Sequence, residues 1–139
     1  MADRLEEIAA AGRARRESAQ GEKAEGLMAA VRAIDPRLAE WSDSFVFGQV
    51  WADSHLTFGE QMLVALTALG STGQVMQLRS YLHGALQAGL DPDKIQDALV
   101  MLVVYSGFPN ALTVLAEWRS VRDSHERRTA AAKEADGHD

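Results

Sequence analysis

The sequence predicts an all-α domain of about six helices that works as an oligomer. Three observations lead there. Apolar residues recur at three- and four-residue spacing along most of the chain. Pro36, Gly89, Pro92 and Gly107 stand where helices would start or stop. The one β-branched run, VMLVVY (100–105), continues the helical phase of Ile95, Ala98 and Leu99, so a strand there is set aside.

The elements follow in order. Residues 3–14 (DRLEEIAAAGRA) carry Leu5, Ile8 and Ala9 on one face, a helix that must dock on something to persist. RRESAQGEK (15–23) is polar and reads as a loop. Residues 26–34 have helical spacing and stop before Pro36, because the residue preceding a proline avoids the α region. Pro36 opens a helix running to about Trp51, with Leu38, Trp41, Phe45, Val46 and Val50 apolar. ADSHLTFGEQ connects onward, and Thr57 is the N-cap candidate for a helix over 58–69. That helix is apolar nearly all round, which points to central burial or an oligomer interface. GSTG (70–73) breaks the chain before a helix over 74–90. Asp91 caps the next helix with Pro92 in its first turn, and a last helix spans about 110–122. The chain thus divides into an N-terminal helical arm and loop (1–22), a folded domain (23–122) and a tail (123–139) without an apolar stripe, expected to fray.

Composition narrows the function. A chain of 139 residues with 47% hydrophobic and 24% charged residues fits one ordinary globular domain with one core. A net charge of −6 argues against a nucleic-acid partner, which needs clustered Lys and Arg. The absence of cysteine removes disulfides, thiolate catalysis and cysteine metal sites. The charged N-terminus does not read as a signal peptide, and no apolar stretch approaches the ~20 residues that span a bilayer. A cytoplasmic location with no membrane partner is the expectation.

Candidate chemistry is sparse. His55, His83, His125 and His138 are scattered, without an i,i+4 pair or an accompanying carboxylate cluster, so no metal site is expected. Neither a P-loop nor a nucleophile elbow is present. On the helix over 74–90, Leu78, Leu82, Ala85 and Leu86 form the apolar stripe. Tyr81 falls roughly 80° to one side of the stripe and His83 roughly 120° to the other, beside Arg79 and Gln87. Tyr81 therefore borders the core, its phenol free to donate or accept a hydrogen bond. His83 is expected among polar residues, at solvent or a subunit contact. Gln49, Trp51 and His55 gather where a helix ends, either a packed aromatic with a polar loop or a pocket wall. Glu60 is either a first-turn carboxylate favoured by the helix dipole or a buried acid with a raised pKa. Tyr105 and Asn110 flank the break in VVYSGFPNAL.

The segments FGQVWADSHLT, EQMLVALTALGS, HGALQAGLDPDKIQDAL and VVYSGFPNAL, in this order and spacing over about residues 45–118, resemble the carboxymuconolactone decarboxylase family. The resemblance is to its decarboxylase branch. It implies an all-α fold like that of alkyl hydroperoxide reductase D, trimers or hexamers, and a pocket near subunit contacts. The peroxidase branch places a C-x-x-C pair ahead of a histidine eight residues before the helix-ending glycine. Counted back from Gly89, those positions hold Gln74, Gln77 and Tyr81, which removes the thiol chemistry. The family's glutamate falls on Gln49 and its arginine on Gln61, so three ionisable positions are neutral. The resemblance then implies a cofactor-independent enzyme acting on a small cyclic or polyketide-like molecule by decarboxylation, isomerisation or cyclisation. Tyr81 would be the proton donor, with His55, His83 or Glu60 as replacement base. Gln49 and Gln61 would hold the substrate, and Trp51, Phe47 and Tyr105 would form the apolar wall. The alternative is a ligand-binding or structural oligomer that kept the scaffold without the chemistry.

Overall fold

Asp35 and Asp91 each accept a hydrogen bond from the backbone amide two residues on, and a proline follows each in the first helical turn. Thr57 and Glu60 close a reciprocal capping box. These three starts lie where the sequence puts them, and they set the frame of the C-terminal two-thirds. The computed structural model describes residues 1–137. Its helices are α1 (Ala2–Gln20), α2 (Ala24–Ile34), α3 (Pro36–Trp41), α4 (Phe58–Ser71), α5 (Val75–Gln87), α6 (Pro92–Val100), α7 (Leu102–Tyr105) and α8 (Phe108–Asp136). A 3₁₀ turn (Gly21–Lys23) joins α1 to α2, and a π-helix (Ser42–Val50) continues α3. There is no strand among the described residues, so VMLVVY is helical, interrupted only at Met101.

α5 is the central rod. Leu78, Leu82, Ala85 and Leu86 meet Met62 and Leu66 of α4, Ile95 and Leu99 of α6, and Val114, Trp118 and Val121 of α8. Burial of each large apolar side chain stabilises the fold by about 1.5–3 kcal/mol. The Trp118 indole N–H donates to Gln96 at 2.8 Å, so the one fully buried tryptophan leaves no unpaired donor.

Three expectations change. The polar stretch 15–23 is not a loop: α1 runs through it to Gln20 and the 3₁₀ turn finishes it. Its polarity misleads because α1 docks through small residues and one arginine rather than an apolar stripe; Gly12, Arg16 and Ala19 are its buried positions. α4 is not buried all round within the protomer. Met62, Leu66 and Gly70 face the core, whereas Val64 is 57% exposed. The tail expected to fray continues α8 to Asp136, with Arg128 paired to Glu22 at 3.3 Å. The expectation for residues 138–139, including His138, lies outside the described residues.

Candidate functional site

The π-helix delivers Trp51. Its amide donates to the carbonyl of Val46, five residues back, at 2.9 Å. Such runs are rare and gather at functional sites. The Trp51 ring packs against Phe47 (centroids 5.0 Å apart) and Phe58 (6.3 Å). Gln61 of α4 donates its side-chain N–H to the Trp51 carbonyl at 2.8 Å, which ties the two elements together. Beside this junction lies an open hollow of about 220 Å³ lined by Val50, Trp51, Ser54, Leu56, Gln61, Val64 and Ala65. None of these seven side chains is ionisable. A second hollow of about 480 Å³ shares Val64 and reaches Ala98, Met101 and Tyr105.

The sequence-predicted site residues divide accordingly. Trp51 and Gln61 come together in the first hollow, and Tyr105 lines the second. Phe47 is fully buried beneath Trp51 and has no open face for a ligand. Gln49 is exposed and donates to the carbonyl of Ser44 in its own helix. His55 is exposed on the connector between the lining residues Ser54 and Leu56.

Glu60 is exposed and accepts the Thr57 amide at 2.9 Å, while its own amide donates to the Thr57 hydroxyl at 3.2 Å. The Thr57 amide, followed by the Thr57 side chain, holds this carboxyl below its usual range. That is the first-turn carboxylate, not the buried acid with a raised pKa.

Tyr81 and His83 sit on α5, away from both hollows. Tyr81 is half-buried against α1. Burial pushes its phenol up, and the facing Gln20 amide and Arg16 guanidinium only partly offset this. His83 is not among solvent-facing polar groups. It is 3% exposed, and its Nε2 is buried with no hydrogen-bond partner among the described residues. Burial, followed by the charges of Arg128, Arg79, Lys23 and His125, pushes it down to about 4, so it is neutral at pH 7. The helical wheel missed this because α5 is covered on a second side by α1, the 3₁₀ turn and α8. Gly84 carries the signal: a Cβ there would overlap the Ala19 carbonyl oxygen, so the residue after His83 marks a close helix crossing. Gly12 and Gly48 likewise mark the close contact of α1 with the π-helix.

Among the described residues no three His, Cys, Asp or Glu side chains converge to hold a metal ion. No helix among them is long and apolar enough to cross a membrane. The model of one family, described as the carboxymuconolactone decarboxylase family, matches residues 36–120, more than half of the chain. α1, α2 and the last turns of α8 lie outside that span. No curated protein matches the chain.

Proposed function

The chain belongs to the carboxymuconolactone decarboxylase family, and from that premise we propose that it binds a small cyclic, mostly apolar molecule in the Trp51 hollow without the acid–base chemistry of its decarboxylases. The observation that carries this reading is the lining. Val50, Trp51, Leu56, Val64 and Ala65 supply apolar surface, Ser54 and Gln61 the only polar side chains, and none of the seven is ionisable. Trp51 offers a ring face for an apolar or unsaturated ring. One N–H of the Gln61 amide is committed to the Trp51 carbonyl, which leaves its second N–H, and the O–H of Ser54, as donors for a ligand carbonyl. Such a site favours neutral rings such as ketones and lactones, because a carboxylate would enter without a cation to pair it.

The positions where the family resemblance expects ionisable groups hold Gln49, Gln61 and Tyr81, and Tyr81 lies under α1 rather than in a hollow. Glu60 is engaged in a capping box and His83 is sealed and neutral. No cofactor is required for binding of this kind. Assembly as a trimer or hexamer would cover the exposed Val64, Met101, Tyr105 and Leu112 and close the hollows, in keeping with a cytoplasmic oligomer.

A second reading, a divergent enzyme, draws on one feature. His55 is exposed and lies in the chain between two lining residues, Ser54 and Leu56. It would serve as the general base for an isomerisation or decarboxylation of the bound ring.

Titration with cyclohexanone and γ-butyrolactone, followed through the three tryptophan indole N–H signals, tests the first reading. The Trp51 signal should move while those of Trp41 and Trp118 stay, and Trp51→Ala should weaken binding by about tenfold or more. No movement at Trp51 with either probe contradicts it. Turnover of a lactone that is lost in His55→Ala would establish the second reading instead.

A further inference from the structure

We infer that α1 selects the π register of residues 42–51, so that Gly12, Arg15 and Arg16 are positioning residues of the Trp51 hollow. The inference rests on the reading of that hollow as the ligand site. It adds residues that lie outside the family match of 36–120 and touch no ligand.

A π-helix is less favourable than an α-helix of the same length and persists where its surroundings hold it. Here a single face of α1 supplies three such contacts. Gly12 lies directly on the widened turn: a Cβ there would overlap the Asp43 carbonyl oxygen and stand 2.8 Å from the Gly48 amide. One helical turn on, Arg16 grips the Asp43 carboxylate at 2.7 Å, and Arg13 approaches its other oxygen at 3.6 Å. Arg16 is 1% exposed and also donates to the Ala24 carbonyl at 3.0 Å. Both the backbone and the side chain of Asp43 are therefore read by α1.

The third contact is the most informative. In an α register the Trp51 amide would donate to Phe47, four residues back. It donates to Val46 instead, and the Phe47 carbonyl accepts from the Arg15 guanidinium at 3.2 Å. Arg15 thus occupies the acceptor that the register change leaves open, a group that would otherwise stand unsatisfied. Without these contacts the segment returns to the α register. Each turn of the nine-residue run takes fewer residues in the α form, so Trp51 turns away from its present direction relative to the helix before it. Val50 and Trp51 then leave the lining of the hollow.

The hydrogen-bonded partner of the Trp51 amide can be read from the scalar coupling across that bond to the accepting carbonyl carbon. In the full-length wild-type protein the coupling should run to Val46. In Arg15→Met and in Gly12→Ala it should move to Phe47, with a shift of the Trp51 indole signal. The helical circular dichroism should be retained, and cyclohexanone affinity should drop by about tenfold or more. If Gly12→Ala fails to fold, Arg15→Met decides alone, since it keeps the aliphatic stem and removes only the donor. A folded Arg15→Met protein that keeps the Trp51–Val46 coupling overturns the inference, as does a wild-type coupling to Phe47. A coupling that moves in the variants while no probe binds the wild type upholds the register role and rejects the ligand site.

Discussion

The surroundings of Trp51 and the buried side of α5 divide between them what an active site needs together. The Trp51 hollow is open to a ligand but lined by neutral side chains. The α5 side holds Tyr81 and His83, both titratable, but α1, the 3₁₀ turn and α8 close over it. Access and proton chemistry are separated within one protomer. The reason is physical: the polar side chains of the hollow, Ser54 and Gln61, are neutral, and the N-terminal helix lies across Tyr81.

Cutting into the sealed side should have the largest effect. Leu82 is fully buried on α5, and Leu82→Ala should destabilise the fold by about 2–5 kcal/mol through lost burial and a residual cavity. Urea unfolding gives the difference, and the Trp51 indole signal should stay nearly in place.

Acid should act next, again on α5. His83 titrates near 6.5 in the unfolded chain and at about 4 in the folded one, so between these values the unfolded state binds more protons. The contribution of His83 is therefore fully present above about pH 6.5 and lost as pH falls toward 4. The loss reaches on the order of 3 kcal/mol. Unfolding of wild type and His83→Leu across pH 4–8 should show the wild type losing stability toward acid more steeply than the variant. Parallel curves would place the imidazole in contact with water.

The smallest change belongs to the open side. Thr57→Ala removes half of the capping box and should cost about 1 kcal/mol of stability. Probe binding should be unchanged, because Thr57 and Glu60 do not line the hollow. A loss of binding without a loss of stability would place Glu60 against the ligand.

Much of this arrangement can be read from the sequence, for reasons that also mark the limits. Asp35–Pro36, Thr57 with Glu60 and Asp91–Pro92 are local signals whose hydrogen bonds span two or three residues, so the starts of α3, α4 and α6 follow directly. The apolar stripe Leu78, Leu82, Ala85 and Leu86 likewise gives the core face of α5. The length of α1 does not follow, because its docking depends on backbone approach at Gly12 and on Arg16, neither of which adds to an apolar pattern. The π register is set by contacts between residues about thirty positions apart, as Arg15 with Phe47 and Arg16 with Asp43 illustrate, and local spacing cannot express it. A helical wheel shows one stripe and so puts His83 at the surface, whereas α5 is covered on two sides. The sequence groups Trp51 with Gln49 and His55, whereas the structure joins it to Gln61 across the short connector. The wheel puts Tyr81 at the edge of the core, where it packs, but the helix that covers it lies about sixty residues earlier in the chain.

Binding in a hollow whose seven lining side chains carry no titratable group should not depend on pH. The affinity of the full-length protein for cyclohexanone, measured from the Trp51 indole signal at intervals from pH 6.5 to 9, tests it most directly. A flat profile, with the probe recovered unchanged, is the predicted result. A bell-shaped profile, or conversion of a cyclic lactone that follows such a profile, would contradict it.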